Sequence, residues 1–306
     1  MSHVISNSSL RKANRLSEPL VYLNGNIVPR NEARVSVWDS AFQCGDAVYE
    51  GLRVYSAGVF QLHEHVDRLF RCARAIGIAV QPSPEEIASA ILGTVRANGV
   101  SKDAHIRITI TRGEKIKTGM DPRIAAEGGP TIVIIVESKP PAFPKSGIKL
   151  ITSSIRRTPA ECLDPKLHTC NQLGQVLAKM EANNAGAQEA VMLDVNGFVA
   201  ETNSANIFIL TGKRLSTPKR DAIMPGLTRA LVLRLAPDFG WNVVEENISL
   251  ADLYTADEVF ITGTVNEIVP VIDVDGRRIG SGKQGPGATA LLARYLEIAN
   301  RDAVRF

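Results

Sequence analysis

The 306-residue chain has few aromatic side chains, and neither sign of charge dominates it. Aromatic residues make up 5% of the chain, too few for a surface on which nucleic-acid bases stack. Lys and Arg number 35 against 32 Asp and Glu, and these charges are dispersed along the sequence. Because no basic patch results, we expect neither nucleic acid nor an anionic membrane as a partner.

Long apolar runs and paired cysteines are also missing. Residues 1–17 are polar and lack the apolar stretch of a signal peptide. The longest internal runs, such as residues 131–136, have the length of a strand and are too short to span a membrane. The cysteines lie far apart and form no C-x-x-C motif, so we expect reduced thiols in a cytoplasmic protein. They are Cys44, Cys72, Cys162 and Cys170.

Short β-type and helical patterns mix along the first 140 residues. Strand patterns at 21–23, 27–28 and 35–37 accompany Asn24-Gly25, a hairpin turn signal. Apolar residues from 62 to 76 recur at helical spacing. Ser83-Pro-Glu-Glu86 combines an N-cap with a Glu three residues later and predicts the start of a second helix. Strands are predicted over 104–111 and 131–137, with a polar loop between them.

The second half of the chain follows a proline-rich segment, residues 139–147. We therefore predict an N-terminal α/β domain over 1–140, an interdomain linker over 141–147 and a C-terminal α+β domain over 148–306. The latter holds predicted strands at 148–153, 258–262 and 271–274, a helix at 173–183 and a hairpin around Asn196-Gly197. Strands and helices alternate irregularly, without a βαβ period of ~30 residues, which indicates an α+β fold.

Two turns in the predicted C-terminal domain have the character of anion sites. Pro225-Gly-Leu-Thr228 is predicted to open a helix, where free N–H groups attract phosphate, and Thr228 adds a hydroxyl. Gly263-Thr-Val265 follows a predicted strand and offers the same groups. Either turn alone is a weak signal, but together they suggest one phosphate held between them.

Charged residues outside these turns give less specific signals. A carboxylate at the end of an apolar strand, such as Glu201, either caps a turn or balances a buried cation. Arg68 follows His63 and His65 on a predicted helix, and a helical arginine is most often a surface residue. Because the two histidines are two residues apart, they point to different helix faces, and we predict no metal site.

Nearly the whole chain, from about residue 21 to residue 282, resembles the class IV aminotransferases. This group of pyridoxal phosphate enzymes includes branched-chain and D-amino-acid aminotransferases and aminodeoxychorismate lyase. The resemblance implies a two-domain class IV aminotransferase-like fold, pyridoxal 5′-phosphate at the domain interface and a homodimer whose second subunit helps close the pocket. It is carried by Gly45-Asp-Ala-Val-Tyr-Glu-Gly-Leu-Arg53, His65-Val-Asp-Arg-Leu69, residues 193–203, Met224-Pro-Gly-Leu-Thr-Arg229 and Thr262-Gly-Thr-Val-Asn-Glu267.

The resemblance also implies roles for single residues. Arg68 matches the arginine that binds the cofactor phosphate, and Glu201 matches the carboxylate paired with the pyridine nitrogen. Met224 takes the place of an apolar residue that packs against the ring. The other predicted phosphate ligands are Leu227, Thr228, Gly263 and Thr264, and the predicted substrate-binding residues are Tyr49, Arg107 and Val265. For Arg107, a structural ion pair is the alternative.

One departure from the family pattern falls on the lysine that bonds covalently to the cofactor. When the segment is aligned through Asn171 and Leu173, the lysine position holds His168, and Gln172 replaces an aromatic residue. Strand alternation would place Lys166 on the same face as His168. We therefore predict Lys166 as the anchor, with His168 beside it for proton transfer.

The sequence leads us to expect an aminotransferase. It would move an amino group between a small or branched-chain amino acid, or an amine, and a 2-oxo acid. An enzyme similar to aminodeoxychorismate lyase is an alternative, because residues 171–178 resemble that branch nearly as well. A cofactor-binding homologue without catalysis is a third alternative, because His168 replaces the lysine.

Overall fold

The computed structural model describes residues 18–306. Residues 1–17, for which the sequence predicts no signal peptide, lie outside the described residues. Within the described part, no helix is both long and apolar enough to cross a membrane.

A six-stranded antiparallel sheet occupies the first half of the chain. Asn24 and Gly25 join its first two strands with φ of 46° and 92°, the left-handed conformations that a two-residue hairpin requires. The predicted hairpin is therefore confirmed. In the order β2-β1-β6-β5-β3-β4, the sheet contains β1 (Leu20–Leu23), β2 (Asn26–Pro29), β3 (Ala47–Tyr55), β4 (Gly58–Val59), β5 (Ala104–Thr111) and β6 (Ile132–Ser138).

Among the residues that the structure describes, three α-helices belong to this half: α1 (Ser40–Cys44), α2 (Leu62–Ala75) and α3 (Pro84–Ala97). The predicted capping box of α3 is confirmed, because Glu86 N–H donates to Ser83 Oγ at 3.2 Å and Ser83 N–H donates to Glu86 at 2.7 Å. The even-numbered residues of β5, such as Ile106, are fully buried in one core with α2 and α3. The odd-numbered ones, including Arg107, therefore face away from the helices.

A nine-stranded mixed sheet occupies the second half, and both of its faces are covered. Ile207 packs in a core with α7, whereas its neighbour Phe208 packs in a core with α6 and α8. The helices are α4 (Ala160–Leu163), α5 (Leu173–Asn184), α6 (Leu227–Leu235), α7 (Leu250–Thr255) and α8 (Pro286–Arg301). In the order β12-β11-β10-β13-β14-β7-β8-β9, with β15 on β14, the strands are β7 (Ile148–Thr152), β8 (Glu189–Leu193), β9 (Val199–Thr202), β10 (Asn206–Thr211), β11 (Arg214–Pro218), β12 (Asn242–Glu246), β13 (Glu258–Gly263), β14 (Glu267–Val274) and β15 (Arg277–Arg278).

The α+β prediction is confirmed, although two local predictions are wrong. Residues 35–37 form no strand, because they lie in the irregular segment before α1. Pro225 does not open a helix: Gly226 is the N-cap of α6, and Leu227 is its first residue. The strands before residue 139 and those after residue 147 belong to different sheets. The division into domains at 141–147 stays a prediction, which this distribution of strands supports.

Candidate active site

A cavity of about 430 Å³ lies between the two sheets. The first sheet contributes Tyr49 and Arg107, from the face of β3 and β5 that is turned away from α2 and α3. The second sheet contributes Glu201 at the end of β9 and Thr262 near the end of β13. The cavity therefore exists only where both halves of the chain meet.

The segment around His168 is fixed to the first sheet by its main chain. Tyr49 N–H donates to the His168 carbonyl at 2.9 Å, and Cys170 N–H donates to the Ala47 carbonyl at 2.9 Å. These bonds pair the segment with β3 in a short antiparallel bridge between Val48 and Thr169. The His168 side chain consequently lies in the cavity wall, with 19% of its surface exposed.

Glu50 is a fully buried carboxylate that binds three cationic or imidazole side chains. Arg68 donates to it from Nε at 2.6 Å and from Nη2 at 2.8 Å. Nδ1 of His65 lies 2.7 Å from it, and Nδ1 of His168 lies 3.1 Å from it. Burial raises the pKa of Glu50, but the charges of Arg68 and then His168 outweigh burial and hold this pKa well below its usual range. The carboxylate therefore stays ionised.

The network continues from Glu50 to the second sheet through His65. Burial lowers the pKa of His65, which keeps its ring neutral. The ring donates from Nδ1 to Glu50, so its Nε2 accepts from the Thr264 hydroxyl at 3.2 Å. One carboxylate thus links Arg68, His168 and the turn at Thr264.

The groups around Arg68 fit an anion such as a phosphate. Three of its N–H groups are used by Glu50 and by the Pro225 carbonyl, which leaves the others for a ligand. Beside it, the buried hydroxyls of Thr228 and Thr262 have no hydrogen-bond partner within residues 18–306, and both residues line the cavity. Partnerless buried hydroxyls are costly unless a ligand satisfies them. We name this group, with Gly226 at the N-terminus of α6, the anion seat.

The close packing of the anion seat depends on a glycine. A Cβ on Gly226 would come within 2.2 Å of Asn206 Oδ1, so a side chain at this position would displace Asn206. Asn206 in turn donates from Nδ2 to Glu201 at 2.9 Å and to the Met224 carbonyl at 2.8 Å. The anion seat and Glu201 are therefore parts of one packed unit.

Glu201 is buried beside Asn206 and binds Arg157. Nη2 of Arg157 lies 2.7 Å from Glu201 Oε1, and Met224 N–H donates to the carboxylate at 3.2 Å. Burial outweighs the charge of Arg157 and raises the pKa of Glu201 to about 7. A further cation beside it would keep this carboxylate ionised, which fits the protonated nitrogen of a pyridine ring.

Two contacts of the Tyr49 ring position side chains in the wall that the first sheet contributes. The Tyr49 ring lies 4.1 Å from the His168 ring between centroids, and the Arg107 guanidinium carbon lies 3.8 Å from the Tyr49 centroid. Arg107 contacts the Tyr49 ring and, from Nη2, the Cys170 sulfur at 4.0 Å, and it pairs with no carboxylate of the described residues. Its charge is available to a carboxylate that enters the cavity.

Lys166 differs from the other predicted site residues in its position. Its Nζ lies 3.4 Å from Asp164 Oδ1, its side chain is 41% exposed, and it does not line the cavity. The expected strand alternation is wrong here, because Leu167 N–H donates to the Asp164 carbonyl in a turn that follows α4. Its role as anchor stays a prediction.

The other predicted site residues all line the cavity. They are Tyr49, Arg68, Arg107, His168, Glu201, Met224, Leu227, Thr228, Gly263, Thr264 and Val265.

Sequence reasoning missed Glu50, Arg157 and Asn206 as parts of the site. Glu50 stands inside a motif that carries the family resemblance, but its partners lie 15, 18 and 118 residues away. Arg157 carries a weak signal, because a buried Glu201 requires a cation somewhere in the fold. No local pattern indicates Asn206.

Comparisons with known proteins agree with this geometry. The family model described as amino-transferase class IV matches residues 47–274. Branched-chain-amino-acid aminotransferase-like protein 2 of Arabidopsis thaliana is 44% identical over 93% of this chain and 51% of its own length, so the chain spans about half of this relative. The branched-chain-amino-acid aminotransferase of Pseudomonas aeruginosa is 34% identical over 92% of this chain and 93% of its own length.

A solved structure extends the match to three dimensions. The T.th. branched-chain amino acid aminotransferase with pyridoxamine 5′-phosphate has a TM-score of 0.86 and 34% identity, over 93% of this chain and 95% of that chain. The family match spans both sheets and therefore the cavity between them. On these grounds the chain belongs to the class IV aminotransferases.

Proposed function

We propose that the protein is an aminotransferase that uses pyridoxal 5′-phosphate. It would move an amino group between a branched-chain or other small amino acid, or an amine, and a 2-oxo acid. The observation that carries the proposal is the presence, in one cavity, of an anion seat with partnerless hydroxyls and a buried glutamate with a raised pKa. Relatives named branched-chain-amino-acid aminotransferases support the substrate class.

The chain offers matching groups to the two ends of the cofactor. In the proposal, the phosphate binds at the anion seat, where Leu227, Gly263 and Thr264 add their contacts to those of Arg68 and Thr228. Glu201 binds the ring nitrogen and holds its proton, and Met224 packs against the ring. When bound, pyridoxal phosphate supplies an electron sink for the bonds at the amino acid Cα.

The wall formed by Tyr49 and Arg107 would bind the substrate. Arg107 lies free of carboxylate partners in the described structure, so it would bind the substrate carboxylate. The Tyr49 ring packs against the guanidinium in a cation–π contact, which limits the movement of the guanidinium. Val265, in the turn between β13 and β14, would contribute its main chain at the same end of the cavity.

A homodimer is part of the proposal, and an exposed helix face supports it. We call Leu173, Val176, Leu177 and Met180 the apolar face of α5. Their spacing puts them on one side of the helix, and between 40% and 69% of each is exposed. Gln172 and Gln175 line the cavity beside this face, so a second subunit seated on it would help close the pocket. The four cysteines are free thiols, which supports a reducing, cytoplasmic compartment.

Half-reactions with separate amino donors test the proposed activity. The purified protein is saturated with pyridoxal phosphate and incubated with the L- or the D-enantiomer of leucine, isoleucine, valine or alanine. Chromatography then measures pyridoxamine phosphate and the 2-oxo acid. Conversion by branched-chain donors would support the proposal. Tight cofactor binding without conversion by any donor would favour the second candidate, a cofactor-binding homologue without catalysis, which the missing cavity lysine suggests.

A further inference from the structure

Three lysines near the cavity are held by carboxylates, and two of these carboxylates, Asp164 and Glu189, belong to residues that line the cavity. Lys166 binds Asp164, Lys145 Nζ lies 2.8 Å from Glu267 Oε2, and Lys179 Nζ contacts the Gln188 carbonyl and Glu189. None of these side chains is in the wall of the cavity, and that wall contains no other lysine within the described part of the chain. A bond between an aldehyde and a protein amine requires the amine to touch the carbonyl carbon, and no lysine of the described residues lines the cavity to do so.

The imidazole of His168 lies in the cavity wall, at the chain position where the family resemblance places the anchoring lysine. Its Nδ1 is bound to Glu50 at 3.1 Å, and its ring packs against Tyr49, so its orientation is fixed from two sides. Nε2 is the ring nitrogen that remains for a ligand. An imidazole forms hydrogen bonds with a carbonyl or an amine, but it does not form the stable imine that a lysine forms.

The remaining contacts are sufficient for noncovalent binding. The anion seat offers Arg68 and two unsatisfied hydroxyls, and Glu201 offers a buried carboxylate in the same cavity. Charge-assisted hydrogen bonds of this kind are the strong ones in proteins. These contacts could hold a charged ligand without a covalent bond.

We infer that the protein holds pyridoxal phosphate by noncovalent contacts alone, with the second ring nitrogen of His168 forming a hydrogen bond where a covalent anchor would stand. This inference rests on the proposed function. It implies that an aldehyde on the cofactor adds little affinity, and that the aldehyde and amine forms of the cofactor exchange freely with solvent.

Paired titrations test the inference. Pyridoxal phosphate and pyridoxine 5′-phosphate, which carries an alcohol in place of the aldehyde, are titrated into the wild type. We expect dissociation constants within about tenfold of each other. If neither compound binds, the proposed function fails. If only the aldehyde binds tightly, the inference fails while the proposed function stands.

A gain of covalent bonding in His168→Lys gives the second readout. Both proteins receive one equivalent of pyridoxal phosphate, are reduced with borohydride, and are digested for mass spectrometry. The wild type should carry no phosphopyridoxyl group, whereas the variant should carry one on residue 168 and bind the aldehyde more than about tenfold more tightly than the alcohol. An adduct on the wild-type peptide that contains Lys166, or no adduct on residue 168 of the variant, would overturn the inference.

Discussion

Oε1 of Glu50 lies 3.1 Å from Nδ1 of His168, although 118 residues separate them in the chain. The carboxylate is ionised, so it accepts a hydrogen bond from Nδ1–H, and a neutral ring then carries no proton on Nε2. Glu50 is thus a positioning residue, which acts on the cavity through His168.

We expect Glu50→Gln to destabilise the fold and to change the His168 tautomer. The buried Arg68 would lose its counter-charge, and removal of one partner of a buried ion pair costs about 3–5 kcal/mol. Urea unfolding measures this loss, with Glu64→Gln on the exposed side of α2 as the control. Nitrogen NMR of the imidazole reads the tautomer. An unchanged His168 spectrum would show that Glu50 does not orient the ring.

Arg68→Ala should weaken pyridoxal phosphate binding by about tenfold or more, because each charge-assisted hydrogen bond contributes about 1.5–3 kcal/mol. Arg71→Ala, at an exposed position of the same helix, is the matched control. Since Arg68 also neutralises Glu50, the double variant Arg68→Ala, Glu50→Gln separates the two effects. Wild-type affinity in the double variant, measured by titration, would remove Arg68 from the anion seat.

Glu201→Gln should bind the cofactor but react slowly with amino donors. A carboxylate stabilises the protonated ring nitrogen, whereas an amide carries no charge to do so. Rapid mixing with a donor measures the first half-reaction under saturating cofactor. A variant rate equal to that of the wild type would contradict the role proposed for Glu201.

The pH dependence of stability should also change in Glu201→Gln. Burial raises the pKa of Glu201 from 4.5 to about 7, so the folded protein without cofactor favours the protonated form. The stability that protonation contributes is fully present below the unfolded pKa and is lost as pH rises through about 7. Relative to the variant, the wild type should therefore lose about 3 kcal/mol between pH 4.5 and pH 8. Parallel unfolding curves across this range would refute the shifted pKa.

A charge on the apolar face of α5 should prevent dimer formation. Leu177→Asp places a carboxylate in the centre of this face, where a second subunit would have to desolvate it. Val195→Asp is the control, because Val195 is 58% exposed in a hairpin turn away from α5. Sedimentation velocity should show a dimer for the wild type and the control and a monomer for Leu177→Asp. A dimer in all three would place the interface elsewhere.

Local signals predicted much of the fold. The capping box at Ser83 and the hairpin at Asn24-Gly25 depend on neighbouring residues, and both were predictable. The strand alternation predicted for Lys166 and His168 is wrong, because a turn after α4 interrupts the strand pattern. Asp164 and Pro165 stand at the first two positions of this turn and are typical of it, so the sequence carried a turn signal that the strand interpretation overlooked.

The composition of the site was less predictable than its location. The motifs and the resemblance pointed to eleven residues that line the cavity, whose individual roles stay predictions. The partners of Glu50 come from a helix and a distant loop, so only the tertiary fold brings them together. The same holds for Arg157 and Glu201, since burial of one charge requires the other without indicating where in the chain it lies.

The backbone bonds from Tyr49 and Cys170 place residue 168 independently of its side chain. Selection can therefore exchange the residue at this position without remodelling the strand, the turn or the sheet around it. A lysine at position 168 would therefore stand on the same backbone, in the same part of the cavity wall, as the histidine does. The backbone bonds fix where residue 168 stands, and the side chain at that position determines whether the cofactor is bound covalently.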